Sequence, residues 1–480
     1  MLDIKFIKEN EKFVKENIKK KFQKEKLPLV DKVIELDEKW RKLKYDEDKL
    51  RSNRNKVSKE INELKKNSTQ GRIPNTLKGT RGHENLSEAP KPFQEKVYKG
   101  QKDVKDLIKK AKEIPGKIGK IQVKRKKLEV EIKEILYKIP NIIHKSVPIG
   151  KDDSENVEVK KVGKPKVPNF KILNHVELAE KIRGVDFDSA RDISGSGFYF
   201  LEGDLAILHS AVLSFARDYM ISKGFKYVVP PFMIREKVVD GVMSFEEKDV
   251  MMYKIEGEDL YLIGTSEHSM IGRFINKTIN IKNLPINLTS YSPCFRKEVG
   301  AHGLEEKGFY RVHQFEKQEM IAICEPEDSM KWYDKMLKCT VDVFRELEIP
   351  VRILECCSGD LADLKHKSAD VEAWSPRQKK YWEAGSCSNL TDAQARRLNI
   401  KIENKGKRYF AHTLNNTVIA SPRALIALIE NNQQKDGSIK IPKVLWKYTG
   451  FRAISPKEKG TYSTAPPKRG RHKEIKVGKK

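Results

Sequence analysis

An α+β fold is predicted: a mostly antiparallel sheet with helices on one side, preceded by an antiparallel two-helix coiled-coil arm. Two apolar periodicities and one change of pattern predict it. Leu36, Leu43, Leu50, Val57 and Leu64 recur every seven residues. A second series, Val104, Leu107, Ala111, Ile114, Ile118, Ile121, Leu128, Ile132 and Ile135, runs in alternating steps of three and four, with Arg125 in its one gap. Such spacings are the seams of helical heptads. From about Pro165 onward, short apolar runs alternate with amphipathic stretches. They are joined through loops rather than helical crossovers, which favours antiparallel pairing.

The elements follow in order. Pro115-Gly116 should kink the second long helix rather than end it, because the heptad phase continues past it. The stretch between the two helices, 67–101, is rich in Gly, Pro, Asn, Ser and Thr without a sustained period and is expected to be an irregular, mobile insertion. Residues 1–140 thus form the arm, 141–164 a Pro/Gly/Asp-rich linker, 165–456 the sheet domain and 457–480 a basic disordered tail. Within the sheet domain, Leu205–Gly224 reads as a helix closed by glycine. YVVPPFMI (227–234) reads as a strand broken by Pro230-Pro231, at an edge or bulge. Further strand-like runs lie at 260–263, 286–292, 310–323, 352–354 and 408–413.

Charge is distributed unevenly. Of the net +28, residues 1–140 carry +17 and residues 453–480 carry +7, leaving +4 for the 312 residues between. Basic appendages on a near-neutral middle suit a polyanion gripped by the ends while chemistry sits in the centre. The six cysteines lie without paired spacing, and the Cys356-Cys357 doublet makes no zinc motif, so reduced thiols are expected. No run approaches the ~20 apolar residues of a membrane span, and the N-terminus lacks a signal-peptide core. A cytoplasmic protein with no membrane partner is expected.

Chemistry concentrates in CFRKEVGAHGLEEKGFYRVHQFEKQEM (294–320). On a strand, residues two apart share a face, which groups Phe309, Arg311, His313, Phe315, Lys317 and Glu319 against Tyr310, Val312, Gln314, Glu316, Gln318 and Met320. Neither face is cleanly apolar, so one should border a cavity. Arg296 and Glu298 share a face before the loop 301–308, which could close over a ligand. Arg can fork a carboxylate or phosphate, Glu can hold an ammonium or hydroxyl, and Phe315 offers a flat surface for a base. The competing reading is an internal salt-bridge ladder. Three more blocks weigh against it. IGTSEHSM places Thr265 and Glu267 on one side of a short strand or turn. YWEAGSCSN sets Glu383 three residues before Ser386, oxygen donors of the kind Mg²⁺ prefers. AHTLNNTVIASPRALIALIEN runs from a strand into an apolar helix with Pro422 at its start and Arg423 in its first turn, where a cation calls for a nearby anion.

Together these blocks resemble a known family. FRKE…RVHQFEKQE is similar to motif 2, and SPRALIALIEN to motif 3, of the class II aminoacyl-tRNA synthetases. The Thr265–Glu267 TSE, EAGSCSN, TLNNT and the helical arm followed by PNIIHKSVPIG resemble the seryl-tRNA synthetases, in their archaeal and eukaryotic branch. The resemblance spans most of residues 1–456. It implies the class II antiparallel sheet with flanking helices, a homodimer formed partly through motif 1 around 227–234, and an arm that grips serine tRNA. It leaves charging of selenocysteine tRNA open.

The resemblance also implies roles by position. Arg296, Glu298 and Arg423 would be catalytic. ATP would meet Arg296, Lys297, Glu298, Val312, Phe315, Glu383, Ala384, Gly385, Ser386 and Arg423. L-serine would meet Thr265, Ser266, Glu267, Arg296, Glu319 and Thr417, and Glu383 and Ser386 would take Mg²⁺. The implied reaction is serine activation to seryl-adenylate, then transfer to tRNA, and neither step needs a side-chain nucleophile. The alternative is a non-catalytic RNA-binding paralogue, followed by a class II enzyme for another small amino acid. Two segments depart from the family: the insertion at 67–101 replaces a tight turn, and KHKSADVEAW (365–374) replaces the usual run and carries no assigned function.

Overall fold

The computed structural model describes residues 1–70, 91–298 and 308–457, the side chains of 64–70, 91–103, 245 and 246 excepted. Two compact units divide the chain, one of Met1–Asp3, Asn10–Leu27 and Tyr137–Lys480, the other of Ile4–Glu9 and Pro28–Leu136.

The second unit is the arm. Helix α1, Leu27–Gln70, and helix α2, Lys91–Lys138, are its two limbs. Lys32 pairs with Glu131 at 2.9 Å, and Trp40 Nε1 donates to Glu129 Oε1 at 2.8 Å. Gln122 Nε2 donates to Glu47 at 3.0 Å, so partners advance on one helix as they retreat on the other. Leu36, Val57, Ile114, Ile118 and Ile135 are buried along the seam. Helix α2 passes through Pro115 without ending, as its heptad phase requires. Both ends of the irregular insertion expected at 67–101 are helical. Residues 67–70 continue α1, and residues 91–101 open α2, where Lys, Gln and Glu favour helix and Pro92 falls in a first turn, where it is tolerated. Residues 71–90 lie outside the described residues, as do 299–307, where all but the last residue of the loop expected at 301–308 falls, and 458–480, where all but the first residue of the expected tail falls.

The first unit carries an eight-stranded sheet. Its strands are β1 (Val157–Val162), β2 (Lys226–Tyr227), β3 (Ile286–Phe295), β4 (Gln314–Cys324), β5 (Val351–Glu355), β6 (Lys367–Ser375), β7 (Lys380–Asn389) and β8 (His412–Ala420). Their spatial order is β1-β5-β6-β7-β8-β4-β3-β2, antiparallel throughout except for β2 against β3. Helices α3 (Gly203–Ser222), α4 (Ser266–Gly272), α5 (Ser329–Glu346), α6 (Ala393–Leu398) and α7 (Ser421–Asn432) flank it. α3 closes as expected: Gly224, at φ +85°, follows it while Phe225 N returns to Met220 O.

Helices cover more than the one side expected. Met320, Ala322 and Cys324 of β4 join a core shared with α3, α5 and α7, whereas Ile321 and Ile323 join a second core with Ile263, Met270 and Leu398. Alternation along one strand therefore buries both faces at this end.

Several boundaries moved for local reasons. The 141–164 linker contains β1, an edge strand whose residues are nearly all exposed, so no burial pattern marked it. Asn10–Leu27, expected in the arm, belongs to the sheet-bearing unit, where Lys21 Nζ donates to Leu361 O at 2.6 Å and Lys26 pairs with Asp363 at 2.6 Å. The 227–234 strand survives as two short pieces, Lys226–Tyr227 and Met233–Ile234, because Pro230-Pro231 can offer no ladder donors. The run at 408–413 splits between a strand of a small sheet, Lys407–Phe410, and β8. The expected strand at 310–323 starts only at Gln314. Phe309 is buried against His175, Phe187 and Tyr199, which turns 309–313 away from the ladder.

Candidate functional site

One cavity of about 440 Å³ opens on the sheet where β4, β7 and β8 meet. Phe315, Lys317 and Glu319 face it from β4, as the strand alternation predicted for the part that is strand. Glu298, Arg311 and Val312 also line it, although they lie outside the ladder. The expected common strand face of Arg296 and Glu298 does not exist, since β3 ends at Phe295. Backbone bonds replace it: Arg296 N donates to His313 O at 2.9 Å, and Glu298 takes φ +46°.

Two bulges aim the remaining groups. On a regular strand Glu383 and Ser386, three apart, would face opposite sides. The register between β6 and β7 shifts so that Ala384 is the extra residue, Asp370 pairs with Ser386, and Glu372 pairs with Glu383. Glu383, Ala384, Gly385 and Ser386 all line the cavity as a result. A second shift between β8 and β4 skips Val418 and brings both Thr417 and Ala420 to the same cavity.

The acidic side is assembled by α4. Thr265 and Glu267 were expected on a strand or turn, but Thr265 is the N-cap of α4, its hydroxyl accepting from Glu267 N at 3.4 Å. The same hydroxyl donates to Glu319 Oε2 at 3.4 Å, and Lys317 forms an ion pair with that carboxylate. Glu267 Oε1 accepts from Asn415 Nδ2 and Gln394 Nε2, each at 2.8 Å. Burial and the neighbouring Glu319 charge push the Glu267 carboxyl up to about 7. Burial, with Lys317 and Arg296 nearby, lowers His268 to about 3, so its ring is neutral.

The basic side faces it. Arg296 Nε donates to Gly264 O at 3.2 Å, and its guanidinium lies 5.3 Å from the Phe315 ring centre. Arg423, in the first turn of α7, donates to Glu383 Oε2 at 3.0 Å and to Glu383 O at 3.1 Å, and lies 5.0 Å from the Tyr310 ring. The anion that this helix start called for is therefore Glu383 in the structure. Although burial opposes it, Arg423 holds the Glu383 carboxyl below the usual range. Glu298 pairs with Arg311 at 3.5 Å.

Of the residues singled out by sequence, two stay outside the lining. Ser266 is fully buried within α4, and Lys297 Nζ donates to Asp249 O at 3.2 Å. Several lining residues were missed. Asn415 could have been found, being two before Thr417 on one strand face. Asp370 and Lys365 sit in the departing segment 365–374 and line the cavity, Asp370 through its register opposite Ser386 of β7. Burial and the Glu383 charge raise Asp370 to about 6. Cys356, Asp360 and Asp370 bring potential ligand atoms within 4.8 Å of one another. Burial raises the Cys356 thiol, which donates to Asp370 at 3.6 Å. All six cysteines are free and buried.

This cavity pairs guanidinium groups with carboxylates and hydroxyls across a flat ring, an arrangement for a ligand with a polyanionic end and a small zwitterionic end. Comparison with known proteins agrees. Residues 1–78 match the family model of the seryl-tRNA synthetase N-terminal domain, and residues 251–432 that of the tRNA synthetase class II core domain (G, H, P, S and T). The serine–tRNA ligase of Thermococcus onnurineus is 40% identical over 478 residues, covering 95% of this chain and 97% of that protein. That of Pyrococcus furiosus is 40% identical over 481 residues, covering 96% and 98%. The crystal structure of seryl-tRNA synthetase from Pyrococcus horikoshii complexed with ATP matches with a TM-score of 0.83 at 40% identity, covering 95% of this chain and 100% of that one. Cytoplasmic serine-tRNA ligase from Naegleria fowleri in complex with AMP matches at 0.80 and 32% identity, covering 95% and 99%. With both parts of the chain and nearly its whole length accounted for in this way, the chain belongs to the seryl-tRNA synthetase family, built on the class II core.

Proposed function

We propose that this chain activates L-serine with ATP and transfers the seryl group to serine tRNA. The observation that carries the reading is the opposition, within one cavity, of Arg296 braced on Gly264 O and the acids Glu267 and Glu319. The serine ammonium is assigned to Glu267, and the serine hydroxyl to Glu319 and Thr417. The carboxylate then lies toward Arg296, which also takes the α-phosphate. The adenine lies on Phe315, bordered by Val312, with Ala384 and Gly385 along the nucleotide and Arg423 at its γ-phosphate.

A serine carboxylate oxygen attacks the α-phosphorus, a P–O bond forms, and pyrophosphate leaves with the electrons of the broken bond. The terminal ribose hydroxyl of the tRNA next attacks the seryl carbonyl, losing its proton as AMP departs. The protein supplies alignment, worth up to roughly 7–11 kcal/mol, and preplaced positive charge at phosphorus. Glu383 and Ser386, with Asp370 opposite Ser386, are hard oxygen donors that fit Mg²⁺ carried on ATP. A divalent ion there would add positive charge at the phosphates.

Recognition of serine over alanine follows from burial. Glu319 is 2% exposed and Thr417 8% exposed, and alanine would leave their hydrogen-bonding capacity unmet, a penalty that can reach roughly 10⁴–10⁵-fold. The assembled cavity disfavours the RNA-binding paralogue, for which these groups would have no use together. In the segment proposed for the homodimer, Val229 is 72% exposed and Met233 49% exposed, apolar surface that a second copy would cover. No helix among the described residues is long and apolar enough to cross a membrane. Membership of the family supports a cytoplasmic enzyme that charges serine tRNA, with selenocysteine tRNA a second candidate.

Pyrophosphate exchange with serine, alanine, threonine, glycine and no amino acid tests the proposal. Exchange driven by serine alone is expected. Arg296→Lys, which keeps the charge and loses the fork, should reduce it by at least ~100-fold. Equal exchange with alanine, or near-normal exchange by the variant, would refute it.

A further inference from the structure

Gln394 lies on α6 and is fully buried. It does not line the cavity, yet its side chain is held at every polar atom. Oε1 accepts from Thr413 Oγ1 at 2.7 Å, while Nε2 donates to Glu267 Oε1 at 2.8 Å and to Val242 O at 3.4 Å. Two acceptors on one side and a hydroxyl on the other fix which end of the amide carries the hydrogens. Asn415 Nδ2 donates to the same Glu267 oxygen at 2.8 Å. Glu267 Oε1 thus has two donors, and the other oxygen, Oε2, is left for a ligand in the cavity that Glu267 lines.

We infer that Gln394 is a positioning residue for amino-acid recognition: through Thr413 it is locked as a donor, and it presents the second oxygen of Glu267 to the substrate ammonium. The inference rests on the proposed assignment of that ammonium to Glu267. Neutral donors suit this task better than a cation would. A lysine or arginine in place of Gln394 would neutralise the carboxylate and compete with the substrate, whereas an amide orients it and leaves its charge available. The neighbouring acid is treated differently, since Glu319 is already paired with Lys317.

The electrostatic surroundings make the role measurable. Burial and Glu319 raise the Glu267 carboxyl, against which Gln394, Lys317 and Lys365 all act. Arg296 and Glu247 also line the cavity, and His268, next in sequence, is neutral. Removing the Gln394 donor therefore moves Glu267 further upward, toward its protonated form, which cannot hold an ammonium.

The test is Gln394→Met, which keeps the shape and loses the donor. The KM for serine in pyrophosphate exchange should rise by about 10–30-fold with the KM for ATP within about twofold. The midpoint of the rise of serine kcat/KM with pH should move up by about one unit. Thr413→Val, which frees the Gln394 amide to turn, should show the same pattern at about a third of the size, and serves if the methionine variant folds poorly. A ¹³C-carboxyl NMR titration of Glu267 in the ligand-free protein, assigned with Glu267→Gln, gives an independent readout. An unmoved titration, or serine and ATP constants that rise together, would overturn the inference. Loss of serine-driven exchange by the unaltered protein, with the titration still displaced in Gln394→Met, would instead overturn the proposed function and leave Gln394 as the residue that orients Glu267.

Discussion

Two carboxylates, Glu267 and Glu319, face one cavity, and only Glu319 has a lysine in ion-pair contact. Glu267 is served by two amides instead and titrates at about 7 against an ordinary 4.5. A carboxyl whose folded value is raised binds its proton more tightly in the folded state. The stability this contributes is full below about 4.5 and is lost as pH rises through about 7. Glu267→Gln should therefore raise the melting temperature of the ligand-free protein at pH 8, by a margin worth on the order of 2 kcal/mol, and give no gain at pH 4. Serine-dependent exchange should fall in the same variant. An equal gain at both pH values would show that ionisation of Glu267 is not the cause. At this scale Arg296, Glu319, Glu383 and Arg423 were legible, because charged residues in strand or helix-start contexts need a reason to be there. Gln394 was not legible, since an amide in a polar run is ordinary until tertiary contacts bring it to Glu267, 127 residues away.

The arm shows the same logic in a helix pair. Arg125 interrupts an otherwise apolar heptad series, and the structure shows why the seam tolerates it. Its guanidinium meets Glu47, whose side chain is 2% exposed, and stacks 4.7 Å from the Trp40 ring. Gln122 and Arg51 complete the cluster around Glu47 at 3.0 and 2.7 Å. A buried ionic group at a seam position specifies register more than it stabilises. Arg125→Leu would perfect the heptad yet leave Glu47 with fewer partners, and should destabilise the arm by about 1–3 kcal/mol. Glu47→Leu combined with Arg125→Leu should recover that loss or exceed it. Thermal melts followed at 222 nm for the single and double variants decide the matter, and a single variant more stable than the parent would refute the argument. Periodic elements such as these were legible because burial repeats along them. β1 was not, because an edge strand with no buried face has no period to read, and 309–313 misled because aromatic packing of Phe309 turned an alternating sequence out of the ladder.

On the scale of the whole molecule, composition marked the arm's far end near 140 but missed that Asn10–Leu27 belongs with the sheet. No shift in composition separates that segment from α1. Tertiary bonds assign it: Asn17 bonds to Asn141 O and Ile143 N, and Lys21, Gln23 and Lys26 bond to Leu361–Asp363, partners some 340 residues away. The charge division, by contrast, was plain in the sequence, and its consequence can be separated from the chemistry. Residues 28–136 carry 30 Lys and Arg against 18 Asp and Glu, a net +12 that would attract phosphate. Contacts of that kind release counterions and weaken as salt is added. The ligands proposed for the cavity would instead meet partly buried groups, which salt screens far less. Raising potassium chloride from 50 to 300 mM should therefore increase the KM for serine tRNA at least ~10-fold while serine-dependent pyrophosphate exchange changes by less than about twofold. Parallel losses in both assays would mean that salt acts on the fold or on the cavity itself. A tRNA constant indifferent to salt would remove the arm's positive charge from the account of how RNA is held.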